Sequence, residues 1–379
     1  MRRASPARGC PRQDGAPVRG MRHSETRALV TPAEPRDPNP SDGLDGGASA
    51  ALPAPPRRHG RGRPSLASTR QRARRAAHMF KWMLLFGFLS CVLVVHLRGR
   101  VRHGFWGQVF DHSGLLAPVN VFLYACSAVP HRPYLPLDDF PELAVLRRNE
   151  PMIRDEALRL MGAEGMRAPD RNDDAGFNSF AKTGWKRFYL KWYDDAHPSA
   201  ARLCPVTTAL LRSLPSVKAA MFAELPAGAV LNPHRDPYAG SLRYHLGLIT
   251  PNDDRCFISV DGIVYSWRDG EDVLFDESYI HTAENRTDTN RLILFCDLER
   301  PLRFGAARAF NRWFGRHVVA QASSPNEAGD RIGLINQLFF LAHHAGQLRR
   351  RFKAWNRTAY RLAKFALAVG VVAAFVWVG

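Results

Sequence analysis

The sequence predicts a mainly β domain, a sandwich or barrel of short strands, with flanking helices and apolar segments near both chain ends. The first observation is a series of β-branched and aromatic runs at residues 217–225, 242–249, 256–260, 263–267, 272–275 and 292–298. The second is the punctuation between them: Pro226-Ala-Gly, Pro251-Asn-Asp-Asp, Asp261-Gly262 and Arg268-Asp-Gly270. Asp-Gly is a strong hairpin signal, and short strands at regular spacing indicate a sandwich or barrel. The third is an apolar run beginning at Met79 and another closing the chain. Between the first run and the strands, residues 143–214 alternate helical and irregular stretches and are expected to pack against the sheets.

Residues 1–78 hold sixteen Arg and no Lys against six acidic residues, so ten of the eighteen excess positive charges sit there. Ala, Pro, Gly, Arg and Ser dominate the stretch, which cannot bury enough apolar surface to offset chain entropy and reads as a disordered tail. It has three readings: a nucleic-acid-binding arm, an arm for anionic lipid, or sequence upstream of a true start at Met79. The last is favoured, and no nucleic-acid partner is expected. Residues 79–97 are the expected N-terminal membrane anchor, of marginal spanning length. Arg98, Arg100 and Arg102 directly behind it argue that the following chain stays cytoplasmic. Residues 98–137 form a membrane-proximal segment. Within it, 115–129 is apolar but broken by Pro118 and Asn120, and reads equally as interfacial or as a buried element of the folded domain. The catalytic domain is placed at 138–305, a membrane-apposed helical region at 306–362, and an apolar membrane segment at 363–379. The six cysteines form no C-x-x-C pair and are expected to be reduced thiols.

The residues that carry chemistry lie between 232 and 291. In a strand or strand end, side chains i and i+2 share a face. His234 and Asp236 can therefore present an imidazole and a carboxylate to one point. His281 follows the strand at 272–275 and its turn. Two His and one carboxylate on one face of a metal leave three positions open, the facial arrangement of non-haem iron(II) oxygenases. A His-x-Asp alone is a weak signal, since a surface His beside a capping Asp is common; the arginine ten residues after His281 strengthens it. Arg291 opens the run Arg-Leu-Ile-Leu-Phe, and a buried strand rarely begins on a charge without a partner. That partner is either a dicarboxylate co-substrate held bidentately or one of Asp276, Glu277 and Asp297 in a structural salt bridge. Arg243 and His245 share one face of their strand, with Leu242, Tyr244, Leu246 and Leu248 on the other. Polar groups facing a sheet interior require a ligand, here read as the co-substrate carboxylate nearest the metal.

These residues sit in a longer pattern. The run His234-Arg-Asp-Pro-Tyr-Ala-Gly-Ser-Leu-Arg-Tyr-His-Leu-Gly-Leu248, with Trp267-Arg-Asp-Gly270, Phe275-Asp-Glu-Ser-Tyr-Ile-His281 and Asn290-Arg-Leu-Ile-Leu-Phe-Cys-Asp297, resembles the aspartyl/asparaginyl β-hydroxylase family. Within that family it is most similar to the bacterial lipid A acyl-chain 2-hydroxylases. The resemblance covers residues 98–303. It implies a double-stranded β-helix (jelly-roll, cupin-like) fold using Fe(II), 2-oxoglutarate and O2. It implies His234 and His281 as metal ligands, Arg291 on the distal carboxylate of the co-substrate, and Arg243 with His245 near the metal-proximal one. Two departures stand out. Asp236 occupies a position where animal peptide hydroxylases of the family carry glycine, and so makes a full triad available. Ala223 falls where some relatives place a co-substrate-binding serine.

The activity this implies is hydroxylation at C2 of a secondary acyl chain of lipid A, or of a related glycolipid, at the cytoplasmic side of the bacterial inner membrane. The basic flanks suit a phosphorylated glycolipid. A peptidyl aspartyl/asparaginyl β-hydroxylase is the first alternative, weakened by Asp236 and the anchors. A zinc-dependent hydrolase would leave Arg291, Arg243 and His245 without a reason. A non-enzymatic cupin-like membrane adaptor would leave the inward polar strand residues unexplained.

Overall fold

The computed structural model describes residues 66–163, 165–168, 174–193 and 197–377. Most of the expected tail, 1–65, and the last two residues of the expected C-terminal segment lie outside them. Helix α1 (Leu66–His96) begins ahead of the Met79 boundary. Residues 66–78, expected from composition to belong to a disordered tail, thus extend the apolar helix. Ala, Arg and Gln are strong helix formers, and extending an existing helix is cheap relative to nucleating one. Within it, Arg74–His96 is the one helix among the described residues long and apolar enough to cross a membrane.

Three short helices follow: α2 (Phe105–Phe110), α3 (His112–Leu115) and α4 (Ala117–Cys126). The two polar-looking breaks in this stretch have specific places. Pro118 lies in the first turn of α4, where its missing N–H costs nothing. The Asn120 amide donates to Pro237 O and accepts from Ala239 N, both at 2.9 Å. With Leu123, Tyr124 and Cys126 buried, α4 is an element of the folded domain, the second of its two sequence readings. Then come β1 (Tyr134–Leu135), α5 (Ala144–Arg148), α6 (Glu150–Gly162), β2 (Lys186–Trp192), α7 (Pro198–Leu203) and α8 (Pro205–Arg212).

Eight strands build the centre: β3 (Val217–Leu225), β4 (Val230–His234), β5 (Ser241–Ile249), β6 (Cys256–Val260), β7 (Ile263–Ser266), β8 (Asp272–Phe275), β9 (His281–Asn285) and β10 (Arg291–Glu299). With β1 and β2 they form two antiparallel sheets, β1-β8-β5-β10-β3-β2 and β4-β9-β6-β7, and from β3 onward the chain changes sheet at every step except the β6–β7 hairpin. This is jelly-roll winding. The β6–β7 hairpin turns at Asp261-Gly262, both at positive φ, as the Asp-Gly signal requires. Helices α9 (Gly305–His317), α10 (Leu334–Trp355) and α11 (Arg357–Trp377) close the chain.

The two faces of β5 lead into different cores. Leu242, Tyr244, Leu246 and Leu248 pack with Leu146, Ile153 and Leu211 of the helical layer. Trp267, Phe275, Ile258 and Phe295 fill the space between the two sheets. A third cluster joins α1, α4 and α9 through Val92, Val95, Leu123 and Phe314. Burying a side chain of this size stabilises by roughly 1.5–3 kcal/mol, so the jelly roll is held from outside by helices and from inside by its own aromatics.

Candidate metal centre

The site stands at the edge of the smaller sheet, where β4 and β9 pair. His234 and His281 are direct cross-strand partners, which brings their ring centroids to 4.3 Å. Each ring is held the same way: its Nδ1 bonds a backbone carbonyl two residues upstream, Asn232 O at 2.8 Å and Tyr279 O at 2.9 Å. Those bonds place the proton on Nδ1 and leave Nε2 of both rings as an acceptor pointing at a common point. A fixed tautomer is what a ligating imidazole requires.

The expected i, i+2 alternation brings Asp236 to that point by a different route. Strand β4 ends at His234, and Asp236 comes from the loop beyond it, held by its own N–H on Glu277 O at 3.2 Å. Its Oδ1 lies 3.7 Å from Nε2 of both His234 and His281. The three ligand atoms fall within 4.8 Å of one another. Burial alone would raise the Asp236 pKa, but Arg243, His281 and His234 outweigh it and hold the carboxyl at about 2. Burial, with His234 adding to it, pushes His281 down to about 3. One anionic carboxylate and two imidazoles whose Nε2 atoms are pre-oriented form a donor set that fits a divalent cation. The cluster opens on the His234 side, where that side chain is 29% exposed against 5% for His281.

Arg243 is placed with a different set of partners from the one expected. Its Nη2 donates to Asp236 Oδ2 and its Nε to Asp297 Oδ1, both at 2.7 Å, and it also pairs with Glu277. The guanidinium lies 3.8 Å over the Phe295 ring. It thus occupies Asp236 Oδ2 and leaves Oδ1 facing the histidines. Burial pushes both Glu277 and Asp297 up despite Arg243. Of the three carboxyl groups on Arg243, Asp236 is the one held below its ordinary value.

His245 and Arg291 lie deeper, along a continuous aromatic wall. Phe275 touches both His281 (5.9 Å) and His245 (5.0 Å). His245 also meets Phe295 and Trp267, and the Arg291 guanidinium stacks 4.2 Å over Trp267. Arg291 is almost fully buried, and its Nε has no hydrogen-bond partner among the described residues. Both ring nitrogens of His245 and the Trp267 Nε1 are likewise unpartnered. Among the described residues, no carboxylate forms an ion pair with Arg291. The three that sequence reasoning offered it are engaged elsewhere: Asp276 with Arg98 and Arg300, Glu277 and Asp297 with Arg243. Burial pulls Arg291 down to about 10. It also pushes His245 well below the ordinary imidazole value, with Arg291 and Arg243 adding to the push. A buried guanidinium, imidazole and indole with polar atoms unpartnered among the described residues have the chemistry to meet an anion.

Sequence reasoning passed over the supports. In the sequence Glu277 and Asp297 stand out only as partners for Arg291, and nothing in the pattern singles out Arg235, which lies between two of the cluster residues. The signal available for Arg235 was weak: a charge flanked by candidate ligands, with no indication of which distant group it meets.

Fold and site together define a jelly-roll domain with a His-Asp-His cluster and, behind it, a buried Arg291 that meets no carboxylate among the described residues. Residues 147–301 match the Aspartyl/Asparaginyl beta-hydroxylase family, which establishes in this block the resemblance carried by its motifs. Among similar proteins, the ornithine lipid ester-linked acyl 2-hydroxylase of Rhizobium tropici is 34% identical over 43% of this chain and 59% of that protein. The human aspartyl/asparaginyl beta-hydroxylase is 29% identical over 41% of this chain and 21% of that protein. The chain thus spans less than two thirds of either relative. Of solved structures, a Pseudomonas putida prolyl-4-hydroxylase is similar at 18% identity and a TM-score of 0.30, covering 49% of this chain and 99% of that one.

Proposed function

We propose that this protein is a membrane-anchored, Fe(II)- and 2-oxoglutarate-dependent hydroxylase acting on an acyl chain of a membrane lipid, with C2 of a secondary acyl chain of lipid A as its target. The observation that carries the reading is the convergence of His234, Asp236 and His281 on one point, backed by a buried Arg291 with no protein carboxylate to meet it. Fe(II), held by those three side chains, would supply the oxidation of 2-oxoglutarate and substrate by O2. The protein's own work is binding and exclusion. Arg291 neutralises the distal carboxylate of the co-substrate in a site too dry for water to do so. His245, neutral because it is buried, offers a ring N–H to the metal-proximal carboxylate. Arg243 holds Asp236 in a one-oxygen pose, and Phe275, Trp267 and Phe295 exclude water from the reacting space.

A lipid substrate is supported by the relative from Rhizobium tropici, whose name gives an ester-linked acyl chain hydroxylated at position 2. It is supported also by the apolar helix Arg74–His96. Exposed Leu334, Ile335, Leu338 and Leu341 on α10, and Leu362 and Phe365 on α11, suit helices lying against or entering a bilayer. The cytoplasmic face of the inner membrane is where Fe(II) and 2-oxoglutarate are available. The same relative favours a second reading, in which the headgroup is that of ornithine lipid. The test is mass spectrometry of total lipid extracts from a host lacking such an enzyme, expressing this chain or its His234→Ala variant. A gain of one oxygen on a lipid A acyl chain, absent in the variant, supports the first reading; the same gain on ornithine lipid supports the second. No lipid gain, with iron bound, transfers the substrate to a peptide.

A further inference from the structure

The two segments that carry the candidate ligands are both fastened to one place, the C-terminal end of α1. Arg235, between His234 and Asp236, is almost wholly buried. Its Nη1 donates to Val95 O and its Nη2 to Arg98 O, at 3.1 Å for the latter. Val95 O lies in the last turn of α1, where it also accepts from Arg98 N at 3.2 Å, and Arg98 O lies just past it; a cation at a helix C-terminus is favoured both by such hydrogen bonds and by the helix dipole. From the other side Arg98, the second residue past α1, reaches into the turn that leads to His281. It bonds Asp276 Oδ2 at 2.6 Å and Ser278 Oγ at 3.1 Å. Its guanidinium lies against the rings of Tyr124 and Tyr279. Tyr279 is the residue whose carbonyl fixes His281. Asp261, at the β6–β7 turn, accepts from the N–H groups of Arg100 and Val101 and steadies the same exit.

We propose that Arg235 is a positioning residue that locks the metal-ligand loop to the end of the anchor helix, making the helix end a working part of the metal centre. The proposal rests on reading His234, Asp236 and His281 as metal ligands. Its physical content is reciprocity: if the helix end holds the ligand loop in its binding pose, metal binding must in turn stabilise the helix end. It also keeps the open, His234 side of the site at the point where the chain leaves the apolar helix.

The test uses the full chain in nanodiscs, with Co(II) as the probe, read by its visible absorption and by hydrogen exchange of peptides covering residues 93–101. In the wild type, Co(II) binds and slows exchange in those peptides. In Arg235→Ala, binding weakens by about 10- to 100-fold, the visible bands shift as the ligand geometry relaxes, and the metal-linked protection of 93–101 disappears. Arg235→Lys, whose single nitrogen satisfies one carbonyl well, falls between the two and serves if the alanine variant does not accumulate. Wild-type affinity, bands and protection in either variant would overturn the coupling alone. Wild-type protein that takes up no Co(II) would remove the metal centre itself and the coupling with it.

Discussion

Arg291 allows two effects of opposite sign to be predicted from one substitution. Its guanidinium is buried against Trp267 with no carboxylate partner among the described residues. Burial has brought its pKa to about 10, a displacement that corresponds to about 3 kcal/mol of unfavourable charge burial. Arg291→Met keeps an unbranched, flexible apolar stem beside Trp267 and removes the charge. In the ligand-free protein this relieves the burden and stabilises the fold by about 1–3 kcal/mol, as replacement of uncompensated buried charge by a packed apolar group does. With co-substrate the effect reverses. Two charge-assisted hydrogen bonds to a carboxylate contribute about 1.5–3 kcal/mol each before desolvation is subtracted. Affinity for 2-oxoglutarate should therefore fall by about 100- to 1,000-fold, with Fe(II) binding unchanged. Anaerobic calorimetry of 2-oxoglutarate into Fe(II)-loaded protein in nanodiscs measures the loss, and thermal unfolding of the metal-free chain in the same nanodiscs measures the gain. Undiminished 2-oxoglutarate affinity, or a variant that melts well below wild type, would refute the assignment and make Arg291 a structural cation.

Arg243→Ala removes the cation shared by Asp236, Glu277 and Asp297; the chain should lose about 3–5 kcal/mol in thermal unfolding, and metal affinity should fall with the freed Asp236. His245, held well below its ordinary value by burial, stays neutral in the fold while the unfolded chain takes up a proton below about pH 6.5. Its contribution is therefore complete above that pH and declines as pH falls, by about 1.4 kcal/mol per pH unit. His245→Phe should flatten the fall in melting temperature between pH 6.5 and 5, and an unchanged slope would assign that fall to other groups. At Gly247, in the middle of β5, a Cβ would overlap the carbonyl oxygen of Arg268, which is backbone and cannot swing away. Gly247→Ala should cost about 1–3 kcal/mol of stability and leave 2-oxoglutarate affinity in the surviving folded fraction unchanged.

Much of this molecule is legible locally. β3, β5, β6, β8 and β10 announce themselves because their buried faces carry regular apolar side chains and their turns carry Asp-Gly or Pro-Asn. The candidate ligands were legible too, because a His-x-Asp and a later His are residue identities, not geometry. The strands that hold them were harder to read. β9, His-Thr-Ala-Glu-Asn, turns His281, Ala283 and Asn285 inward; a strand whose inner face is a candidate ligand, a small residue and a hydrogen-bonding amide has no hydrophobic pattern to detect. β2, Lys-Arg-Phe-Tyr-Leu-Lys-Trp, lay hidden in a region that read as helical and irregular, its Arg187 buried on Asp174 and on Ser324 far along the chain.

What the sequence determined by itself was therefore the kind of domain, the chemistry of its candidate donors and the apolar run before them, because alternation, turn residues and side-chain identity act over a few positions. Which charge meets which was decided only by tertiary structure. Arg243 and Arg291 are both basic residues at inward positions of neighbouring strands, indistinguishable by pattern. One is surrounded by three carboxylates and the other by none, because β5 packs beside the 276–277 turn and Asp297, while the start of β10 faces Trp267. Arg235 reaches back 140 positions to Val95, and a hydrogen bond of that span exists only once the chain has folded.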